Sequence, residues 1–111
     1  MRLFCPSKAK EPYREIIREL SRRTRVDVIF TKKIPDDAVV LDQLGEPLTQ
    51  ELLDELVKVD TDFVVGGPDG IDHPGRKVSL GRYTLNHQLA IIVLLDLLFR
   101  TRFPKHPYNK H

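Results

Sequence analysis

The sequence has 111 residues, of which 41% are hydrophobic and 31% are charged, and it carries a net charge of +2. This length and composition predict one globular domain over residues 1–111 and exclude both a second domain and a disordered chain. The single cysteine, Cys5, excludes an internal disulfide and predicts a reducing, cytoplasmic setting, and the first residues lack the apolar core of a signal peptide.

The predicted elements alternate between strands and helices. Short apolar or β-branched runs bounded by turn residues predict strands, and apolar residues at helical spacing predict helices. In chain order we predict a strand over 2–5, a helix over 11–24, strands over 26–30 and 38–42, a turn over 45–47, a helix over 49–59, strands over 63–65 and 77–80, and a helix over 86–100. This alternation favours an α/β fold with a mostly parallel sheet flanked by helices.

The last predicted helix is apolar on nearly every side. Its longest apolar stretch, Leu89 to Leu95, is followed by Asp96 and is too short for a membrane span, which needs about 20 apolar residues. A helix without a polar face is covered on two sides. Because the chain offers few other elements, we expect a second copy to supply part of that cover in a homodimer with two-fold symmetry.

Charge is distributed unevenly along the chain. Residues 1–33 carry ten Lys/Arg against four Asp/Glu, residues 34–75 carry one against eleven, and residues 76–111 carry seven against one. If both ends of the chain lie on one face, that face is suited to binding phosphates. Ordinary solvated helix faces explain the same pattern, so charge alone leaves both interpretations open.

The segment Gly66-Gly-Pro-Asp-Gly70 directly follows a predicted strand. Glycines in that position permit close approach of the backbone to a ligand, although they also mark ordinary turns. A phosphate-binding loop needs a helix to open directly behind it, whereas Ile71-Asp-His-Pro-Gly75 follows here. Neither a GxGxxG nor a Walker spacing is present. The loop therefore suits a nucleoside-like ligand at least as well as a phosphate.

Three blocks of sequence then become recognisable together. They are DFVVGGPDG over 62–70, KVSLGRYTLNHQLAIIVLLDLLFR over 77–100 and HPYNKH over 106–111. In this order they resemble the C-terminal half of the SPOUT methyltransferases, and within them the ribosomal RNA large subunit methyltransferase H branch, which methylates N3 of a pseudouridine. Residues 39–42 and 45–47 resemble the same branch more loosely.

This resemblance implies a dimer with a C-terminal trefoil knot, a rare exception to unthreaded topology. It also implies that three loops of the knot bind S-adenosylmethionine and that the substrate is ribosomal RNA or an assembled ribosome. Carried over by position, the implied cofactor-binding residues are Leu41, Gly66, Gly67, Gly81, Arg82, Tyr83, Thr84, Leu85 and Asn86.

The resemblance also implies catalytic residues at the end of the chain. These are His87, Tyr108 and Lys110, with His106 as the next candidate, and we expect the tail to reach the cofactor of a partner subunit. Four cations are predicted to contact RNA phosphates: Arg82, Arg100, Arg102 and Lys105. His73 is interpreted as an ordinary loop residue. The histidines and the cysteine lack metal-ligand spacing, so no metal site is predicted.

The sequence departs from the family in several places. Residues 31–37 and 71–76 are shorter than the corresponding segments, Asn86 replaces a proline, and Asn109-Lys110 replaces a His-Arg pair. Lysine lacks the bidentate grip of arginine, so the RNA side is more altered than the cofactor side. Two alternatives remain: an RNA- or ribosome-binding protein with this fold but without activity, and an enzyme that uses GGPDG as an anion loop.

Overall fold

Short apolar runs pair into one sheet in a computed structural model, which describes residues 1–83 and 85–106. The five strands are β1 (Arg2–Cys5), β2 (Asp27–Phe30), β3 (Val39–Pro47), β4 (Phe63–Val65) and β5 (Lys77–Ser79). They lie in the order β2-β1-β4-β3-β5, and every pairing between them is parallel. The predicted α/β fold with a parallel sheet is therefore confirmed, while the knot stays a prediction.

Three helices complete the described fold: α1 (Tyr13–Thr24), α2 (Gln50–Lys58) and α3 (His87–Arg102). Two of them begin at side-chain caps, which satisfy amide groups that have no partner within a helix. Thr49 accepts a hydrogen bond from the Leu52 amide at 3.2 Å, and Asn86 accepts one from the Gln88 amide at 2.8 Å. The first helix, α1, ends before Arg25, which adopts a left-handed conformation that stops the helix.

The helices cover one face of the sheet. Side chains alternate between the faces of a strand, so Leu3 and Cys5 join the larger core with residues of all three helices. Phe4, between them, points to the opposite face with Val40 and Val64. Loop residues such as Ile34 and Ile71 cover that second face, which gives a two-layer architecture.

Several element boundaries differ from the predictions. The predicted turn over 45–47 is wrong, because these residues lie in β3 and pair with β5 after a register shift between Leu41 and Glu46. A Cβ atom on Gly45 would lie 2.6 Å from the carbonyl carbon of Lys77, so glycine permits this close approach. The first helix begins at Tyr13 rather than at residue 11, and the last one continues to Arg102.

Most apolar side chains of helix α3 are buried or partly buried against other parts of this chain. It packs against both α1 and α2, and Leu94 is completely buried. Leu89 and Val93 on α3 remain 39% and 36% exposed, and Ile16 on α1 is 43% exposed. A homodimer therefore stays a prediction that depends on these residues. Among the described helices, none is long and apolar enough to cross a membrane.

Candidate functional site

The carboxyl ends of the parallel strands open into a cavity of about 530 Å³. Ligands of α/β sheets commonly bind at this edge, and the volume is typical of sites for small molecules. The walls are formed by the middle of β3, by the segments that follow β4 and β5, and by the first turn of α3. Residues predicted from the sequence that line the cavity are Leu41, Gly66, Gly67, Gly81, Tyr83, Leu85, Asn86 and His87.

The glycine loop after β4 is a tight turn. The Gly70 amide donates to the Gly67 carbonyl at 2.9 Å, and Gly70 has a φ of +75°. A Cβ atom on Gly66 would lie 2.9 Å from the Gly70 carbonyl carbon, and one on Gly67 would collide with the Ser7 hydroxyl. The next element after this loop is β5, so the loop does not itself lead into the start of a helix. This geometry disfavours the anion-loop alternative.

Side chains hold the loop between β5 and α3 through hydrogen bonds to its backbone. The Ser79 hydroxyl donates to the Gly81 carbonyl at 2.6 Å and accepts from the Gly81 amide at 3.0 Å. The Gln43 side chain donates to the Arg82 carbonyl at 3.1 Å, which ties this loop to the middle of β3. Tyr83 lines the cavity although 83% of its surface is exposed, so it lies at the mouth. Thr84 lies outside the described residues.

His87 is the first residue of α3 and lines the cavity. Its Nε2 atom is buried and has no hydrogen-bond partner among the described residues. A buried polar nitrogen without a partner is costly, which makes this atom a natural contact for a bound molecule. The helix start is fixed beside it, because the buried Gln88 side chain accepts a hydrogen bond from the Lys10 amide at 2.5 Å.

Sequence reasoning missed several residues of the cavity. Asp42 follows Leu41 at the bend of β3, and its carboxylate accepts a hydrogen bond from the Leu44 amide at 2.8 Å. It is the acidic side chain among the described lining residues, and its position after an apolar run was the available signal. The other missed lining residues are Gln43, Val65, Pro68, Gly70, Ile71, Leu80 and Ala90.

The remaining predicted site residues lie elsewhere. Arg82 is exposed and does not line the cavity. Arg100 donates to Asp96 at 3.1 Å, and Arg102 donates to the carbonyls of Thr24 and Arg25 at 3.1 and 3.0 Å. These two arginines lie near the far end of α3, about 20 and 22 Å along the helix from His87.

The short segment after α3 folds back onto that helix. Lys105 is exposed, and the His106 ring packs edge-on against Phe99 with ring centroids 4.9 Å apart. Tyr108 and Lys110 lie outside the described residues. The three candidates His87, Tyr108 and Lys110 are therefore represented in the described cavity by His87 alone.

His73 has a defined structural position that its loop setting did not predict. It is buried, its Nε2 atom lies 2.7 Å from the Pro35 carbonyl, and its Nδ1 atom accepts from the Gly75 amide at 2.9 Å.

Burial raises the pKa of the Cys5 thiol to about 12, which makes this thiol inert. Among the described residues, no group of three or more potential ligands could hold a metal ion.

Comparisons with known proteins give a consistent result. The family model described as "Predicted SPOUT methyltransferase" matches residues 2–108. A Thermus thermophilus protein named ribosomal RNA large subunit methyltransferase H is 33% identical, over 86% of this chain and 84% of that protein. Proteins of the same name from Pseudothermotoga lettingae and Thermotoga sp. strain RQ2 are 30% and 25% identical, over 79% and 100% of this chain. This chain spans 64% of the former and 83% of the latter.

Proposed function

This chain belongs to the SPOUT methyltransferase family, and from that premise we propose that it transfers a methyl group from S-adenosylmethionine to ribosomal RNA. The proposed acceptor is N3 of a pseudouridine in the large-subunit RNA. The observation that carries the proposal is the cavity at the carboxyl edge, where two glycine-containing loops meet the His87 Nε2 atom, which has no partner in the described part of the chain. The relatives' names support RNA as the substrate.

The residues present fit the proposed cofactor. Glycines at 66, 67 and 81 leave backbone groups accessible, and the apolar side chains of Leu41 and Leu85 offer walls for an adenosine. The backbone amides and carbonyls of these tight loops can form hydrogen bonds with the base and the ribose. When bound, the cofactor supplies an activated methyl group, so the protein mainly has to orient the acceptor.

His87 is the side chain with a proposed chemical role. Transfer to a ring nitrogen requires loss of its proton, and a group within hydrogen-bond reach assists that step. The Nε2 atom of His87 has no hydrogen-bond partner among residues 1–83 and 85–106, so it is available to hold the acceptor or its proton. Tyr108 and Lys110 are proposed to complete the site from the tail, and Arg82, Arg100, Arg102 and Lys105 to contact RNA.

We assign the active form as a single-domain protomer in a cytoplasmic homodimer with the C-terminal knot of the family. The exposed apolar residues Leu89, Val93 and Ile16 are the proposed contact. Val93→Asp places a charge on this surface and is expected to yield a folded monomer in light scattering. Leu94→Asp is unsuitable for this test, because Leu94 is buried within the chain and its replacement would unfold it. A Val93→Asp protein that remains dimeric would contradict this contact.

The test of the proposed function is calorimetric titration with S-adenosylmethionine and S-adenosylhomocysteine, followed by transfer of a labelled methyl group to ribosomal RNA and to assembled ribosomes. We expect micromolar binding and incorporation into large-subunit RNA that His87→Ala reduces by about 100-fold or more. Failure of the folded protein to bind either compound would overturn the proposal. RNA binding without cofactor binding would instead favour the alternative of an inactive RNA-binding protein.

A further inference from the structure

Cations in this protein fall into two classes that the sequence does not distinguish. Glu11, just before α1, and Glu15 and Glu19 on that helix pair with arginines three or four positions further along. The paired cations on that helix are Arg14, Arg18, Arg22 and Arg23. These ion pairs neutralise most of the positive charge of the arginines on α1 and leave little net field for an external anion.

Four lysines at the carboxyl edge of the sheet belong to the other class. Lys8 and Lys10 follow β1, and Lys32 and Lys33 follow β2. All four residues are exposed, and within the described ranges 1–83 and 85–106 none of their ammonium groups has a carboxylate within 4.0 Å. The parallel arrangement places these two loops on the same edge as the cavity.

The first of these loops touches the cavity wall at two points. A Cβ atom on Gly67 would collide with Ser7, so the loop after β1 lies directly against the glycine loop. The Lys10 amide is bonded to Gln88, one residue after His87. The second loop lies one strand further out, because β2 pairs with β1 and β1 pairs with β4. Two strand spacings separate β4 from β2, about 10 Å in all.

We infer that these four lysines form a lysine stripe that binds the backbone of a single-stranded RNA segment and leads one base to the cavity. Unpaired ammonium groups gain most from phosphates, since binding releases counterions without first breaking an ion pair. We choose a single strand because a base must leave its stack to enter a cavity, and this costs least where the base is not paired. The inference rests on the proposed function for the identity of the polymer, and it adds a binding surface separate from the arginines near the end of α3.

The test compares two variants that each remove four positive charges. One is Lys8→Gln/Lys10→Gln/Lys32→Gln/Lys33→Gln, and the matched control is Arg14→Gln/Arg18→Gln/Arg22→Gln/Arg23→Gln. The probe is a fluorescein-labelled single-stranded RNA of about 12 nucleotides, titrated by anisotropy between about 50 and 200 mM salt. Each phosphate contact contributes about 0.7 to the slope of log affinity against log salt.

We expect the lysine variant to bind at least about tenfold more weakly at low salt and to lose about 1.4 to 2.8 from the slope, as loss of two to four contacts requires. The arginine variant should retain most of the affinity. Equal losses in the two variants, an unchanged slope in the lysine variant, or no RNA binding by the unaltered protein would overturn the lysine stripe.

Cofactor titrations keep this result separate from the proposed function. The lysine variant is expected to bind S-adenosylmethionine with the affinity of the unaltered protein, because none of the four lysines lines the cavity. If the unaltered protein binds RNA through the stripe but binds no cofactor, the proposed function fails and the stripe stands. If the unaltered protein binds cofactor and the lysine variant binds RNA normally, the lysine stripe fails and the proposed function stands.

Discussion

The two ends of the same parallel strands have opposite chemistry. At the carboxyl edge, glycine loops surround a cavity, and among the described residues one buried imidazole nitrogen has no hydrogen-bond partner and four lysines have no carboxylate within 4.0 Å. At the amino edge, the Arg2 amide and guanidinium both bond to Asp62, at 3.0 and 2.6 Å, and Asp60 bonds to the amino group of Met1 at 2.8 Å. The carboxyl edge thus keeps a few polar groups without partners among the described residues, whereas these groups at the amino edge are paired within the chain.

This difference teaches where to look for function in a small protein. Ion pairing at the amino edge holds β1 against β4, and the Asp62 carboxylate raises the pKa of Arg2 by hydrogen bonding and by charge. Groups already paired in this way serve the fold. The groups at the carboxyl edge that lack a partner among the described residues can gain one from a bound molecule, so this edge is the one that we expect to bind.

The largest expected effect concerns Cys5, the last residue of β1 at the carboxyl edge. Its pKa of about 12, raised by burial, leaves about one thiolate in ten thousand at pH 8. We expect no reaction with Ellman's reagent in the native protein and one thiol per chain in denaturant. Cys5→Ala/Val59→Cys is the control, because Val59 is exposed and should react at once. A fast reaction of native Cys5 would show that the cavity at the carboxyl edge reaches below the loops to the end of β1.

The next effect concerns the glycine loop. Gly67→Val is expected to lower S-adenosylmethionine affinity by about 100-fold or more, because its side chain would collide with Ser7 and intrude on the cavity wall. Combining it with Ser7→Gly relieves the collision, so the Tm should recover while cofactor binding stays weak. Calorimetric titration and thermal unfolding of both variants separate the two contributions. Normal cofactor affinity in the double variant would place the ligand away from this loop.

A smaller effect is expected at the amino edge. Asp62→Ala removes the partner of the Arg2 amide and guanidinium, and we expect the Tm to fall by about 3–6 °C. Cofactor affinity should not change, since this pair lies at the opposite end of the strands. Thermal unfolding and calorimetric titration of the same sample check both halves. A loss of cofactor affinity would mean that the two edges are coupled through the sheet.

The smallest effect is a pH dependence at Glu46. The hydrogen bond and charge of Arg76 hold the pKa of this carboxyl below its ordinary value of 4.5. The stabilisation is therefore complete above the unfolded pKa and is lost as the pH falls through the folded value. Glu46→Gln should lower the Tm slightly at pH 7, and this difference should shrink as the pH falls through the folded pKa of Glu46. Arg76→Gln should follow the same pattern, and a constant difference across this range would contradict the pairing.

Much of the fold was predictable from local signals. The apolar run at Phe63–Val65 and the capping threonine at position 49 lie where the sequence places them, because short-range patterns report burial and helix starts directly. The turn predicted over 45–47 failed for a physical reason. Glycine and proline there permit a close approach and a register shift in β3, which depends on a partner strand more than 30 residues away.

The candidate site was predictable only in part. Position-by-position resemblance identified eight residues that line the cavity, and strand-end glycines alone pointed to the same edge. Asp42 was missed because the sequence does not show that its strand end faces a cavity. Arg102 was expected on RNA, whereas its guanidinium bonds to carbonyls at the end of α1, a contact between residues 77 and 78 positions apart.

The sequence by itself determined the α/β layering, the parallel sheet and the family, since these follow from periodicity and from motifs in a fixed order. Only the tertiary structure decided which cations are paired, which end of α3 meets the cavity, and that His73 is a buried connection between two loops. Burial and pairing depend on groups that are distant along the chain. A residue's type fixes the chemistry it can offer, and its folded neighbours determine whether that chemistry is already used.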